Sequence, residues 1–466
     1  MSDSIEQDDC QGYRGASETL LARYSIRVWS DAEIRTTRGV FRGIVLPRAE
    51  NTDDQHIVIK LDTGYNIGVD VATITSMIEH GYRKANYHIP EKEFPYDPAK
   101  LNVQLLGTGG TIASRLDYRT GAVIPAFSPG ELYGSVPELA DIANLHTEKL
   151  FGVFSENMGP AEYIGLAKSC AEHIEKGAAG IVIGHGTDTM HHTSAVLTFM
   201  LQNLPVPVVM VGSQRSSDRP SSDAALNLLN ATYTAAHSDI AEVMVCMFGP
   251  TSDQYALLHQ GTRVRKMHSS YRSAFRTISD IPLAMVDYRT GITPIRTEYC
   301  HRDATRKVKL DAVFDDRVSI VYYYPAMKPD IIDSLVENGY RGIVIAGTGL
   351  GHVNKPLYPA IVRARDAGVA VFMTVQTIWG YAQMYVYDTG RDLMAKGVIP
   401  LANMLPEVAF MKLGWALGKT DDIDEVKRIM QTTISRDMTE REPFNGYLVY
   451  QGGIPDVQEF LKKELR

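Results

Sequence analysis

From about Arg23 to Ile89 the apolar residues come in short, partly alternating runs: YSIRVWS, GVFRGIVLP, HIVIKLD and YNIGVDV. They are rich in β-branched residues, and Gly, Asn and Asp separate them, as expected of short strands joined by turns. The pattern predicts a small β-barrel or sandwich over residues 21–95. The following IPEKEFPYDPAK, Ile89 to Lys100, carries three prolines and several charges and reads as a linker.

From Leu101 the texture changes. NVQLLG, GIVIGHGTD, VPVVMVGS and EVMVCMFG are nearly continuous apolar runs, and helical segments such as TMHHTSAVLTFMLQN and SDAALNLLNATYTAAH lie between them. Continuous apolar strands alternating with helices predict a parallel sheet covered on both faces, here over residues 101–300. The alternation resumes with RVSIVYYYP, GIVIAGTG and VAVFMTVQT. It predicts a second, smaller α/β domain over 313–440 and a C-terminal extension over 441–466. LANMLPEVAFMKLGWALG reads as a late amphipathic helix. The acidic, polar start, residues 1–20, reads as a disordered tail without the features of a secretory signal.

Composition narrows the function. With 466 residues, 44% hydrophobic and 22% charged, this is an ordinary globular chain of two to three domains. No run approaches the roughly 20 apolar residues of a membrane helix. Cys10, Cys170, Cys246 and Cys300 are scattered, which argues against disulfides and a cysteine zinc site and fits a reducing cytoplasm. The net charge is −8, so any nucleic-acid contact needs a local patch or a partner. Basic and acidic residues are equal in number between 21 and 95.

Two polar loops fall where ligands bind, beyond the carboxyl ends of parallel strands. One is Gly107 to Ala113; the other, GHGTDTMHHT, is Gly184 to Thr193. The first is no dinucleotide loop, because Ile112 stands where G-x-G-x-x-G needs its third glycine, and no lysine follows Gly110 as a P-loop requires. His185, His191 and His192 crowd the second loop, but their spacing matches no standard metal motif. Either loop alone is compatible with tight-turn glycines and capping threonines. A hydroxyl chemistry explains more. Acyl transfer needs a nucleophile, a base and oxyanion donors, and glycines let backbone N–H groups approach a reacting carbonyl. Thr111, Thr187 and Asp188 supply the hydroxyls and the carboxylate. A lysine completes such a set only when it is neutral.

These loops, with VVMVGSQR, SSDAALNLLNA and QGTRVRKMHSSYRSAF, resemble the L-asparaginase/glutaminase family from about Leu101 to Gly418. The resemblance implies a two-domain asparaginase-like α/β fold with parallel sheets, here preceded by the small all-β domain, and sites shared across a homodimer interface. It implies Thr111 as the acyl-accepting nucleophile, with Thr187, Asp188 and Lys266 completing the catalytic group. It implies Gly110, Ser155, Glu156 and Gly186 as substrate-binding positions, Ser155 and Glu156 gripping the α-amino and α-carboxylate ends. One position departs: the family's lid tyrosine falls in TGAVIPAF, where Val123 and Ile124 stand, and Tyr118 is at the wrong spacing.

A β module, a linker and an asparaginase body in that order resemble the D subunits of archaeal glutamyl-tRNA(Gln) amidotransferases. That resemblance implies a cytoplasmic glutaminase that passes ammonia to a partner, the E subunit, in a heterotetramer acting on tRNA(Gln). No cofactor is expected in this chain; ATP and Mg are expected in the partner. The alternative is a free cytoplasmic L-asparaginase with an accessory domain. A non-catalytic scaffold would predict erosion of the Thr111, Thr187, Asp188 and Lys266 set, and all four are present.

Overall fold

A computed structural model describes residues 10, 12–48, 52–62, 66–82, 95–109, 114–116, 123–125, 136–215, 222–444 and 446–447. The first module is a five-stranded antiparallel sheet. Its strands are β1 (Ser30–Thr36), β2 (Gly39–Val45), β3 (His56–Leu61), β4 (Asn66–Asp70) and β5 (Ile74–Tyr82), in the order β4-β3-β2-β1-β5. Strands β4 and β5 are the two edges, yet only Val71–Thr73 joins them. That stretch spans at most about 14 Å, whereas the edges of a flat five-stranded sheet lie about 19 Å apart. The sheet must therefore curl towards a barrel. Its concave face buries Ile34, Val45, Ile57, Ile59 and Met77.

The tail expected over residues 1–20 is corrected within this module. A helix runs from Gly15 to Arg23 and buries Leu21 completely. The Tyr13 hydroxyl donates to the Leu46 carbonyl at 2.8 Å and accepts the Val58 N–H at 2.9 Å. Polar composition hid these two anchors. Residues 1–9 lie outside the described residues. So does most of the linker, but Asn144 Nδ2 fastens its last part by donating to the carbonyls of Asp97 (2.8 Å) and Lys100 (3.0 Å).

The larger α/β domain is built on an eight-stranded sheet. Its order is Gly291–Pro294, Ala284–Asp287, Ala256–Gln260, Val243–Phe248, Val208–Val211, Gly180–Gly184, Asn102–Gly107, Asn144–Lys149. The last five strands are parallel, as the apolar character of four of them predicts; the fifth, Asn144–Lys149, is a polar edge strand, NLHTEK, that no apolar run announced. The first three extend the sheet antiparallel, an edge that the alternation of strands and helices did not reveal. The smaller domain carries a four-stranded parallel sheet, Val318–Tyr322, Gly342–Gly347, Ala370–Val375 and Ile399–Pro400.

The late helix joins the two domains. It runs Pro406–Lys419, its proline sitting in the first turn where no N–H is needed. The expectation of an amphipathic helix is corrected, because Pro406–Ala409 and Met411–Leu417 are buried. The helix is packed from several sides, with Trp415 stacked on Phe199 of helix Met190–Met200 at 5.7 Å between ring centres. Among the described residues no helix is long and apolar enough to cross a membrane.

Candidate active site

Three neighbouring parallel strands place the site. Gly107, the last residue of its strand, pairs with Gly184 on one side and Lys149 on the other. The segments that follow these strands therefore emerge side by side at one sheet end. They carry Thr108 and Gly109, then Gly186–Thr187–Asp188, then Ser155–Glu156. Backbone approach holds them together. Gly109 has φ +119°, and a Cβ there would sit 2.2 Å from the Val153 carbonyl oxygen. The Thr108 hydroxyl donates to the Gly184 carbonyl at 3.0 Å. Gly186 lies so close to Ser155 that a Cβ would come within 2.8 Å of the serine Cβ. The Thr189 hydroxyl donates to the Ser155 carbonyl at 2.6 Å.

Lys266 reaches this end from outside the parallel strands. It closes the short strand Val264–Lys266, which pairs antiparallel with Phe275–Thr277. Its Nζ donates to Thr187 Oγ1 at 2.9 Å and to Asp188 Oδ1 at 2.7 Å. The lysine side chain is almost buried, whereas that of Asp188 is 69% exposed. The carboxylate thus holds the amine from the solvent side and leaves the Thr187 side dry. Beside the pair opens a cleft of about 260 Å³ lined by Asp188, His191, Arg265, Lys266 and the turn Met267–Ser269.

The structure brings together Lys266, Thr187 and Asp188, and packs Ser155 behind Gly186. Glu156, next in the chain, is exposed. Gly110 and Thr111 lie outside the described residues, as does Tyr118. Of the lid segment, Val123–Pro125 pairs antiparallel with Ser114–Leu116.

Sequence reasoning treated His185 only as a failed metal motif. It is fully buried and locks the second loop: its Nδ1–H donates to the Gly186 carbonyl at 2.6 Å, leaving Nε2 to accept the Thr193 hydroxyl at 2.9 Å. A carbonyl only accepts, which fixes the neutral tautomer. The lone signal was a histidine just before the glycine of the polar loop. Among the described residues no three His, Cys, Asp or Glu side chains form a metal-holding group.

Burial holds His185 and His192 down at about 4 and His259 at about 3. The unfolded chain takes up these protons near pH 6.5, and the folded chain resists until the lower values. Stability therefore falls as pH drops from about 6.5 to about 4, each histidine contributing about 1.4 kcal/mol per pH unit across its window. Urea unfolding at pH 7, 5.5 and 4.5 should show a falling midpoint. A midpoint that stays level over this range contradicts the buried neutral assignment.

Family models match in three places: GatD N-terminal domain over residues 27–79, Asparaginase, N-terminal over 102–296, and Glutaminase/Asparaginase C-terminal domain over 317–430. The D subunit of glutamyl-tRNA(Gln) amidotransferase from Pyrococcus furiosus is 49% identical over 416 residues, 88% of this chain and 93% of its own length. Its namesake from Methanopyrus kandleri is 45% identical over 443 residues, 93% of this chain and 96% of its own. This chain belongs to the family of glutamyl-tRNA(Gln) amidotransferase D subunits. Solved L-asparaginases resemble its body. The thermostable L-asparaginase from Thermococcus kodakarensis aligns with TM-score 0.64 and 30% identity over 73% of this chain and 99% of that one. L-asparaginase I from Vibrio cholerae gives 0.64 and 27% over 73% and 100%. This chain thus carries an asparaginase body, which accounts for nearly the whole length of those two enzymes, together with a further module at residues 27–79.

Proposed function

We propose that this chain hydrolyses glutamine and delivers the ammonia to a partner subunit, which uses it to convert glutamyl-tRNA(Gln) to glutaminyl-tRNA(Gln). The observation that carries the reading is Lys266 Nζ within hydrogen-bond reach of both Thr187 and Asp188, at the sheet end where the first glycine loop also arrives. Thr111, one residue beyond Gly110, attacks the side-chain amide carbon. Backbone N–H groups of the glycine loop face the developing oxyanion. The proton that Thr111 loses ends on the leaving nitrogen, which departs as ammonia. Lys266, its neutral amine oriented by Asp188, then draws a proton through Thr187 from the water that opens the acyl ester, and Thr111 regains its hydroxyl proton as the acid leaves. Ser155 and Glu156 hold the substrate's α-amino and α-carboxylate ends, with Gly186 leaving room for them. ATP and Mg belong to the partner, the E subunit, and two copies of this chain form the core of a heterotetramer in the cytoplasm.

A free L-asparaginase is the second reading, favoured by the two solved L-asparaginases that match the body. Glutamine differs from asparagine by one methylene, worth roughly 1–3 kcal/mol of discrimination, so the shared body does not choose between them. The module at 27–79 supports the amidotransferase, because a free amidohydrolase has no use for a separate docking domain. The deciding measurement is ammonia release from glutamine by the chain alone, with the partner, and with partner plus glutamyl-tRNA(Gln). A lid with Val123 and Ile124 where the asparaginases have tyrosine predicts a clear rise at the last step, because an ordered lid excludes water and completes the site. Equal rates in all three mixtures return the chain to the free amidohydrolases.

A further inference from the structure

The turn before Lys266 is held from an unexpected quarter. Residues Gln260–Arg263 reach across to Thr432–Thr439, more than 170 positions along the chain. Gln260 Nε2 and the Thr262 hydroxyl both donate to the Ser435 carbonyl, at 2.9 and 2.8 Å. Arg263 is fully buried. Its Nε donates to the Arg436 carbonyl at 2.6 Å, and its fork closes on Asn403, to the carbonyl at 2.8 Å and to Oδ1 at 3.1 Å. Asn403 is itself fixed by Thr439, accepting its N–H at 2.9 Å and donating to its hydroxyl at 2.7 Å. Ser435 and Arg436 take φ of 49° and 58°, a left-handed pair that aims two successive carbonyls at the turn. On the other side of Val264, Arg265 donates to Glu407 of helix Pro406–Lys419 at 3.0 Å.

Lysine 266 therefore stands on a strand whose entry and middle are both fastened to residues beyond 400. An apolar side chain would close a buried turn more cheaply than a guanidinium does. What the planar fork adds is direction, because its donors accept only one arrangement of acceptors. We propose that segment Thr432–Thr439 sets the position of the Lys266 amine against Thr187, with Arg263 as the positioning residue. This rests on the reading in which Lys266 moves the Thr187 proton.

The test uses the full chain with its partner and glutamyl-tRNA(Gln). Arg263→Lys keeps the charge and loses the fork. A displacement of about 1 Å at a catalytic group costs on the order of 100-fold, so kcat should fall by about 10- to 100-fold with KM within about threefold. Arg263→Ala supplemented with guanidinium ion should recover part of kcat, because the fork is returned without the tether. Thermal unfolding of both variants is measured alongside. An Arg263→Lys variant with parental kcat overturns the proposal. So does a variant whose kcat loss merely follows the fraction unfolded, or guanidinium that restores melting temperature but not kcat. Turnover is read on glutamine and on asparagine, and positioning is scored on whichever amide the parent hydrolyses. A parent inactive on glutamine but active on asparagine thus fails the amidotransferase reading without deciding this one.

Discussion

Lys266→Arg should lower glutamine turnover by on the order of 10²- to 10⁴-fold, the range expected if the lysine is the positioned base proposed above. The guanidinium of arginine keeps its proton, so it can hold Asp188 in place but cannot take a proton from Thr187. Lys266 Nζ lies 2.9 Å from the Thr187 hydroxyl and 2.7 Å from the Asp188 carboxylate, close enough for either role. Arginine preserves the ion pair and removes the transfer, which separates the two. Lys266→Met, which lacks both, should fall at least as far. Thr111→Ala should abolish turnover, and Thr111→Ser should retain part of it because a hydroxyl survives. The companion variant Thr187→Ala distinguishes the two hydroxyls. If Thr111 carries the acyl group, Thr187→Ala still accumulates a hydroxylamine-sensitive acyl-enzyme, whereas Thr111→Ala forms none. Normal turnover by Lys266→Arg would falsify the proton-transfer role and leave the lysine as an electrostatic anchor.

Much of this was legible in the chain because the signals are local. Apolar runs ending in Gly107 and Gly184 mark adjacent strand ends, and the polar loops follow within a few residues. The partnership of Lys266 with Thr187 and Asp188 spans 79 and 78 residues, and only the family resemblance pointed to it. Arg263, Asn403 and Ser435 gave no signal at all. Their contacts cross more than 100 residues, and the left-handed backbone at Ser435 and Arg436 is imposed by tertiary partners, not by glycine or asparagine. The helix at Gly15–Arg23 was hidden for another reason. It is polar on its solvent side and held by few apolar anchors, so its composition resembles a tail. Helix Pro406–Lys419 was misjudged in the opposite sense: an amphipathic helix implies a wet face, yet its charged residues Glu407 and Lys412 are both buried against charged partners.

Lys412 supplies the largest stability effect. Its side chain and that of Asp437 are both fully buried and meet at 2.5 Å, while the amine also donates to the Thr432 carbonyl at 2.6 Å. Burial pushes the lysine down and the aspartate up, and the partner's charge opposes the shift of each. Asp437→Ala leaves an ammonium with carbonyls around it but no counter-charge, at an expected cost of about 3–5 kcal/mol. Against a typical total of about 5–15 kcal/mol, that is roughly a fifth of the fold's margin or more. The double variant Lys412→Met, Asp437→Leu removes both charges and fills the space, so urea unfolding should return it to within about 2 kcal/mol of the parent. Recovery of stability need not recover activity. Asp437 Oδ1 also accepts the Ile434 N–H at 2.5 Å, which caps the bend at Ser435 and Arg436. Leucine cannot do this, so the carbonyls that receive Arg263 lose their fixed aim. The double variant should therefore fold well and turn over slowly. If it is as unstable as Asp437→Ala, the cost lies in the lost cap and not in the unpaired charge.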